Sequence, residues 1–279
     1  MDYTLNCNGR LLSLNTPQVM GILNVTPDSF YADSRVNTEA EIVCRIQQIL
    51  QEGGTIIDVG ACSTRPDSEP ASEAEETERL KTALAIVRRE APDAIVSVDT
   101  FRPNVARMAV EEFGADIIND VGAPANAPFP ILHSQFPMFR MVSRLRVPYI
   151  YMSRKSTMRE ILLDCAEAIY ALRSMGQKDI VLDPGFGFGK TVEQNYQVMN
   201  ILEQLQMTRL PVLVGVSRKS MIHRLLNIPP HEALNGTTVL NTLALMKGAS
   251  ILRVHDVKQA VEAVKMVAAL GCGKTTADK

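Results

Sequence analysis

The sequence lacks any apolar run approaching the ~18 residues that a membrane-crossing helix needs, and it opens on no signal-peptide pattern. A cytosolic protein that stays off the membrane is therefore expected. Cysteine is scarce in the ways that matter: Cys7, Cys44, Cys62, Cys165 and Cys272 are odd in number, scattered, and include no C-x-x-C pair. That argues against a disulfide framework and a zinc site, and for a reducing compartment. No excess of one charge is present either: 29 Lys and Arg face 31 Asp and Glu, for a net charge of -2. No nucleic-acid partner is expected on that balance. What remains is 279 residues, 46% hydrophobic and 22% charged, enough for a soluble globular fold with a sizeable core.

Short β-branched runs recur along the chain at Val19–Leu23, Thr55–Val59, Ile95–Val98, Ile117–Ile118, Tyr149–Met152, Ile180–Leu182, Val212–Val214 and Ile251–Val254. Between them lie amphipathic stretches with helix-start signals. Thr38/Glu41 and Ser72/Glu75 are spaced as capping boxes, opening helices to about Gln51 and Glu90, and Pro103 suits a first helical position. Further helices are expected at Met138–Leu145, Thr157–Met175, Val192–Leu205 and Val257–Leu270. This alternation indicates an α/β fold with parallel strands and crossover helices. Eight units in this length favour a closed (β/α)8 TIM barrel over an open sheet. Tyr3–Leu14, around Asn8-Gly9, reads as a β-hairpin ahead of it. The expected organisation is an N-terminal hairpin extension over 1–16, a barrel over 17–270 and a frayed tail over 271–279. The proline-rich stretch Gly122–Pro137 has no clear assignment.

A barrel enzyme builds its site from the loops that follow its strands. Here those strand ends carry Asn24, Thr64-Arg65, Asp99, Asn119, Asp183, Ser217 to Lys219, and Arg253 with His255. Arg253 and His255 share one side of the last strand. Either an anion binds them or acidic neighbours pair with them, because buried charge is costly when nothing compensates it. Asp99, Asn119 and Asp183 are acceptors suited to a flat heterocycle with amino and ring N–H groups. Arg253, His255, Lys219, Asn24 and the Thr64 hydroxyl suit phosphate oxygens, with Asn24 able to give an oxygen to Mg²⁺. Pro184 to Thr191 fails the P-loop spacing, since Pro184 stands where the first glycine belongs. It reads as a tight strand-to-helix turn that exposes backbone N–H groups and Phe188.

The blocks Asn24-Val25-Thr26-Pro27-Asp28-Ser29-Phe30, Ser63-Thr64-Arg65-Pro66, Val98-Asp99, Ile118-Asn119-Asp120, Leu182 to Lys190, Ser217-Arg218-Lys219-Ser220 and Arg253 to Val257 resemble the signature blocks of the bacterial dihydropteroate synthase family. They occur in family order from residue 18 to about 270. The resemblance implies a pterin-binding transferase of folate biosynthesis. It would join (7,8-dihydropterin-6-yl)methyl diphosphate to 4-aminobenzoate, releasing diphosphate, with Mg²⁺ as cofactor and sulfonamides as competitors. A homodimer is also implied. Carried over by position, Asp99, Asn119, Asp183 and Lys219 would hold the pterin. Asn24 would ligate Mg²⁺, and with Thr64, Arg253 and His255 would hold the diphosphate. Arg65, Pro66, Phe188, Ser217 and Lys219 would border the aminobenzoate, and Asp99, Lys219, Arg253 and His255 would be catalytic.

The chain departs from that pattern in four places, one of them the stretch Gly122–Pro137, which lacks the expected sequence. Tyr31-Ala32-Asp33-Ser34 replaces the usual Ser-Asp-Gly-Gly, Ala61-Cys62 replaces Gly-Glu, and Met152-Ser153-Arg154 replaces Met-His-Met. Two other readings stay open: a methyltetrahydrofolate-cobalamin methyltransferase on a related barrel, and a paralogue that binds pterin without condensing it.

Overall fold

The computed structural model describes residues 3–25, 38–62, 71–122 and 135–271. Strands β1 (Thr4–Cys7) and β2 (Arg10–Ser13) form the antiparallel hairpin. Asn8 (φ 53°) and Gly9 (φ 88°) make its turn; positive φ at both positions matches the natural twist of the flanking strands. The eight remaining strands are β3 (Gln18–Asn24), β4 (Ile56–Gly60), β5 (Ile95–Asp99), β6 (Ile117–Asp120), β7 (Tyr149–Met152), β8 (Ile180–Asp183), β9 (Leu213–Val214) and β10 (Ile251–Val254). They form one sheet in which β3 pairs with both β4 and β10, and β10 pairs with β9, all parallel. A parallel bridge between Leu182 and Val212 joins β8 to the chain entering β9 and closes the ring. This is the expected (β/α)8 barrel.

Helices α1 (Glu39–Gln51), α2 (Glu73–Glu90), α3 (Pro103–Phe113), α4 (Gln135–Leu145), α5 (Met158–Ser174), α6 (Val192–Asn200), α7 (Ser220–Leu226), α8 (Leu234–Met246) and α9 (Val257–Ala269) surround the strands. Thr38, Ser72, Thr157 and Thr191 each close a full capping box. The segment expected as one helix from Val192 to Leu205 instead stops at Asn200 and continues as a 3-10 turn over Leu202–Thr208. Leu202 and Leu205 are both buried, and their three-residue spacing is eclipsed, hence directly aligned, in the tighter helix. Most of the unassigned stretch after Gly122 lies outside the described residues, as does the tail beyond Gly271. No described helix is long and apolar enough to cross a membrane.

The core has two parts, and their separation places the site. One cluster fills the shell between strands and helices. The other lies inside the barrel, where Met20, Ile56, Ile117, Ile150, Val181, Leu213 and Ile251 meet Leu5, Cys7 and Leu14 of the hairpin. The hairpin is thus the floor of the barrel rather than an appendage. It is fastened by Arg10, which donates to both oxygens of Asp116 at 2.8 Å and to the Asp93 carbonyl at 2.6 Å. Side chains alternate along a strand, so two residues beyond each floor position the chain again faces the lumen. That rule moves from Ile56 to Asp58, from Ile117 to Asn119, from Val181 to Asp183 and from Ile251 to Arg253. An apolar floor with a polar layer above it follows directly from period-2 sequence.

Leu5 is fully buried against that floor. Leu5→Ala is expected to cost about 3 kcal/mol of unfolding free energy, the range for a buried leucine that leaves a cavity. Urea denaturation measures it, and a loss below about 1 kcal/mol would mean the hairpin is only loosely attached.

Candidate active site

Arg253, on β10, lies across the lumen between two carboxylates. Its Nε donates to Asp58 Oδ2 on β4 at 2.6 Å, and its Nη2 donates to Asp99 Oδ2 at the end of β5 at 2.6 Å. Arg253 therefore does pair with acidic neighbours, but they sit inside the barrel and not on a surface strand. Nη1 makes no hydrogen bond among the described residues, so one fork of the guanidinium is left for an anion. The two carboxylates hold the guanidinium proton firmly, raising its pKa further against burial.

Asp58 was not anticipated from sequence. It is fully buried, and the same Oδ2 that binds Arg253 also accepts from Asn119 Nδ2 at 3.2 Å. That contact fixes which end of the Asn119 amide faces where. Asn119 Oδ1 is left buried without a partner, as is Asp58 Oδ1. Unmet buried acceptors are costly in an empty protein and serve a ligand rich in N–H donors. A carboxylate in the middle of the apolar run Ile56-Ile57-Asp58-Val59, on the lumen side, was the available signal; reading only strand ends passed over it.

Asp183, at the end of β8, is buried and uses Oδ1 to accept the Gly185 N–H at 2.7 Å. Oδ2 has no hydrogen bond among the described residues, and burial raises the carboxyl pKa. Burial likewise pushes Asp99 upward, with the pull of Arg253 opposing it and the Asp58 charge adding to it. Lys219 approaches from the loop after β9. Burial lowers its pKa to about 8, with Asp183 acting in the opposite direction. Its ammonium donates to the Phe186 carbonyl and stands 4.5 Å from the centre of the Phe188 ring.

His255 is depressed to about 3, first by burial and then by the surrounding Arg253, Arg45, Arg218 and Lys219. Its imidazole is therefore neutral near pH 7. Ser217 Oγ accepts the His255 backbone N–H at 3.2 Å and lies 3.0 Å from Nδ1. With its hydroxyl proton directed at Nδ1, Nε2 carries the ring N–H and can donate to an anion. Ser217, expected beside an aminobenzoate, makes its polar contacts with His255. Arg218 is structural: it grips Asp256 at 2.9 and 2.7 Å, which holds the Ser217 to Lys219 loop to the start of α9.

The turn after β8 has the expected shape, with φ of +69° at Gly185, +78° at Gly187 and +64° at Gly189. At Gly185 a Cβ would stand 2.2 Å from the Ser153 carbonyl oxygen, so only glycine fits. Its N–H groups are not all open, however. Gly187 donates to Asn195 at 2.8 Å and Phe188 to the Gly185 carbonyl at 3.1 Å, because the turn closes on itself. Lys190 folds back onto the carbonyls of Gly185 and Phe188. Asn24 ends β3 with its Oδ1 close over Gly60 and beside Asp99. Thr64, Arg65 and Pro66 lie outside the described residues.

Together these elements define a barrel enzyme whose mouth pairs an acceptor-rich well with a cationic wall. The family model described as pterin binding enzyme matches residues 20–255. The dihydropteroate synthase of Escherichia coli K12 is 37% identical over 276 residues, 95% of each chain. A Yersinia pestis dihydropteroate synthase in complex with a sulfonamide drug superposes with a TM-score of 0.86 at 35% identity, covering 98% of this chain and 100% of that one. A Xanthomonas albilineans dihydropteroate synthase with 4-aminobenzoic acid gives 0.84 at 34% identity, covering 97% and 99%. The chain belongs to the dihydropteroate synthase family of pterin-binding enzymes.

Asp58→Asn keeps the side-chain shape but removes the charge that Arg253 and Asn119 share. It is expected to weaken binding of a pterin by about tenfold, read by calorimetry with the oxidised pterin. An affinity equal to wild type would mean that Asp58 merely fills space.

Proposed function

We propose that this chain condenses (7,8-dihydropterin-6-yl)methyl diphosphate with 4-aminobenzoate, giving 7,8-dihydropteroate and diphosphate. The observation that carries this reading is the set of unspent hydrogen-bonding atoms around one cation. Asn119 Oδ1, Asp58 Oδ1 and Asp183 Oδ2 accept on one side of Arg253, while Arg253 Nη1 donates on the other. A pterin supplies the N–H groups for the first set, and a diphosphate supplies the oxygens for the second.

The chemistry follows from that division. Breaking the C–O bond to diphosphate leaves positive charge on the pterin methylene and negative charge on the leaving group. Asp99 and Asp183 stabilise the former, and Arg253 and His255 the latter, an electrostatic role that needs no reorganisation during reaction. The arylamine is already a nucleophile near neutral pH, so no general base is required of the protein. Lys219, cationic below about pH 8, holds the pterin beside Asp183. Arg65, Pro66, Phe188 and Ser217 border the arylamine, and Thr64 adds a donor to the diphosphate.

Asn24 suits a hard cation: its oxygen is one ligand, and among the described residues no cluster of three His, Cys, Asp or Glu could form a cage. Asn24 would hold a Mg²⁺ ion there, which when bound would supply charge neutralisation to the diphosphate. A homodimer is also proposed, supported by Leu225, Leu226, Val239, Leu243 and Met246 standing exposed on α7 and α8.

Turnover with the pterin diphosphate, Mg²⁺ and 4-aminobenzoate tests the reading directly, and binding of the diphosphate without dihydropteroate formation would favour the non-catalytic paralogue. Arg253→Ala is expected to lower kcat by at least about 10²-fold; wild-type turnover at saturating substrate would remove Arg253 from the mechanism. The pH profile gives a second test. Lys219 loses its proton as pH rises through about 8, so kcat/KM for the pterin diphosphate should fall above that pH. In Lys219→Arg the falling limb should move upward; a limb that stays in place would assign it to Lys190, whose pKa is also lowered to about 8.

A further inference from the structure

Arg45 is a charge in the middle of an apolar stripe. The buried face of α1 carries Ile42, Arg45, Ile46 and Ile49, at the i, i+3, i+4, i+7 spacing of a helix packed on one side. A guanidinium only 7% exposed in that row is costly unless its donors are met. Gly21 on β3 lets the helix come close, since a Cβ there would stand 2.7 Å from the Ile49 side chain. From that distance Arg45 reaches two strands at once. Its Nε donates to the Ile22 carbonyl of β3 at 3.1 Å, and its Nη2 donates to the His255 carbonyl just past β10 at 2.6 Å. The ladder between β3 and β10 ends one step lower, at the pair Gly21 and Val254. Arg45 therefore supplies a side-chain rung where the backbone rungs stop.

The same row of α1 holds the turn that follows. Nη1 of Arg45 donates to Gln48 Oε1 at 2.8 Å, and Gln48 donates onward to Glu52 Oε1 at 2.9 Å. The other oxygen of Glu52 accepts the Lys258 N–H, in the first turn of α9, at 3.1 Å. Residues three and four apart are neighbours on a helix, so 45, 48 and 52 form one continuous line. His255 to Lys258 is thus gripped at two points from α1, while Arg218 grips Asp256 from the loop after β9. Above the last rung, β3 runs on through Ile22 to Asn24 beside β4. His255 and Asn24 stand on separate segments there, and Arg45 joins those segments.

We propose that Arg45 is a positioning residue, bridging the Ile22 and His255 carbonyls so that Asn24 and His255 keep the spacing a diphosphate requires. The inference rests on the reaction proposed above, in which those two residues take the diphosphate. Arg45 acts through them and not on the substrate. A planar fork meets three acceptors in fixed directions, which a single ammonium cannot do.

The test is calorimetry with two ligands, (pterin-6-yl)methyl diphosphate in the presence of Mg²⁺ and 6-hydroxymethylpterin, which lacks the diphosphate. In Arg45→Met the Kd for the diphosphate is expected to rise about tenfold, while that for the bare pterin moves less than about twofold. Arg45→Lys keeps the charge without the fork and should retain most of the loss. Equal weakening of both ligands would reduce Arg45 to a packing role. Full recovery in Arg45→Lys would mean that it acts by charge alone, and no change in either Kd would remove it from the site. Gln48 is exposed, so Gln48→Ala tests the same row without burdening the fold. It should weaken the diphosphate alone by about two- to threefold, and an unchanged ratio of the two affinities would overturn the proposal even if Arg45→Met does not fold. Wild-type protein that binds both ligands equally would overturn the diphosphate reading itself, a result distinct from any failure of Arg45.

Discussion

One cation shared between two carboxylates sets the terms of this site. Arg253 is held at 2.6 Å by Asp58 below and by Asp99 above, inside a barrel whose floor excludes water. A buried guanidinium with no partner would be costly, but two carboxylates for one cation leave negative charge over. Burial raises the Asp99 pKa, Arg253 opposes it and the Asp58 charge adds to it, and the well gains from a ligand that brings N–H donors or develops positive charge. The same Asp58 oxygen also orients Asn119. Affinity for an electron-poor heterocycle and the direction of the Arg253 fork therefore depend on one fully buried carboxylate that faces no solvent.

The barrel tolerates this because its apolar burial lies elsewhere. The shell between strands and helices holds the larger cluster, so the lumen need only be apolar in its lowest layer, which the hairpin closes with Leu5, Cys7 and Leu14. Each lumen-facing position two residues higher is released from packing duty. Asp58, Asn119, Asp183 and Arg253 occupy those positions on four strands, and the parallel register brings them to similar height. Stability and chemistry are thus separated by a single period of the β-strand.

Much of this was legible in the chain. Eight apolar runs, two of them followed by capping boxes and a third by a proline suited to a first helical position, indicated the barrel, and the strand-end polar residues pointed to its lining. Three features were less legible, for physical reasons. Asp58 sits within a run, not at its end, and only lumen parity marks it as more than a satisfied core carboxylate. The contact of the Ser217 hydroxyl with His255 Nδ1 at 3.0 Å was not legible, because a side chain's partner across a barrel is long-range in sequence. The glycine turn after β8 was expected to expose its backbone N–H groups, but those of Gly187 and Phe188 are spent on Asn195 and on the turn itself, which no local pattern reveals.

The charges of the mouth are graded, and the grading matches a reaction that separates charge. Acceptors dominate around Asn119 and Asp183; Arg253 and a neutral His255 form a boundary; Lys219, Lys190 and Arg154 gather at the Phe188 rim. Keeping His255 neutral is part of that order, since a protonated imidazole beside Arg253, Arg45, Arg218 and Lys219 would repel its neighbours in the empty site. A neutral ring can offer a hydrogen bond without adding another positive charge beside those neighbours. The side chains that carry this grading stand on β4, β5, β6, β8 and β10, whose backbones the barrel itself holds in place.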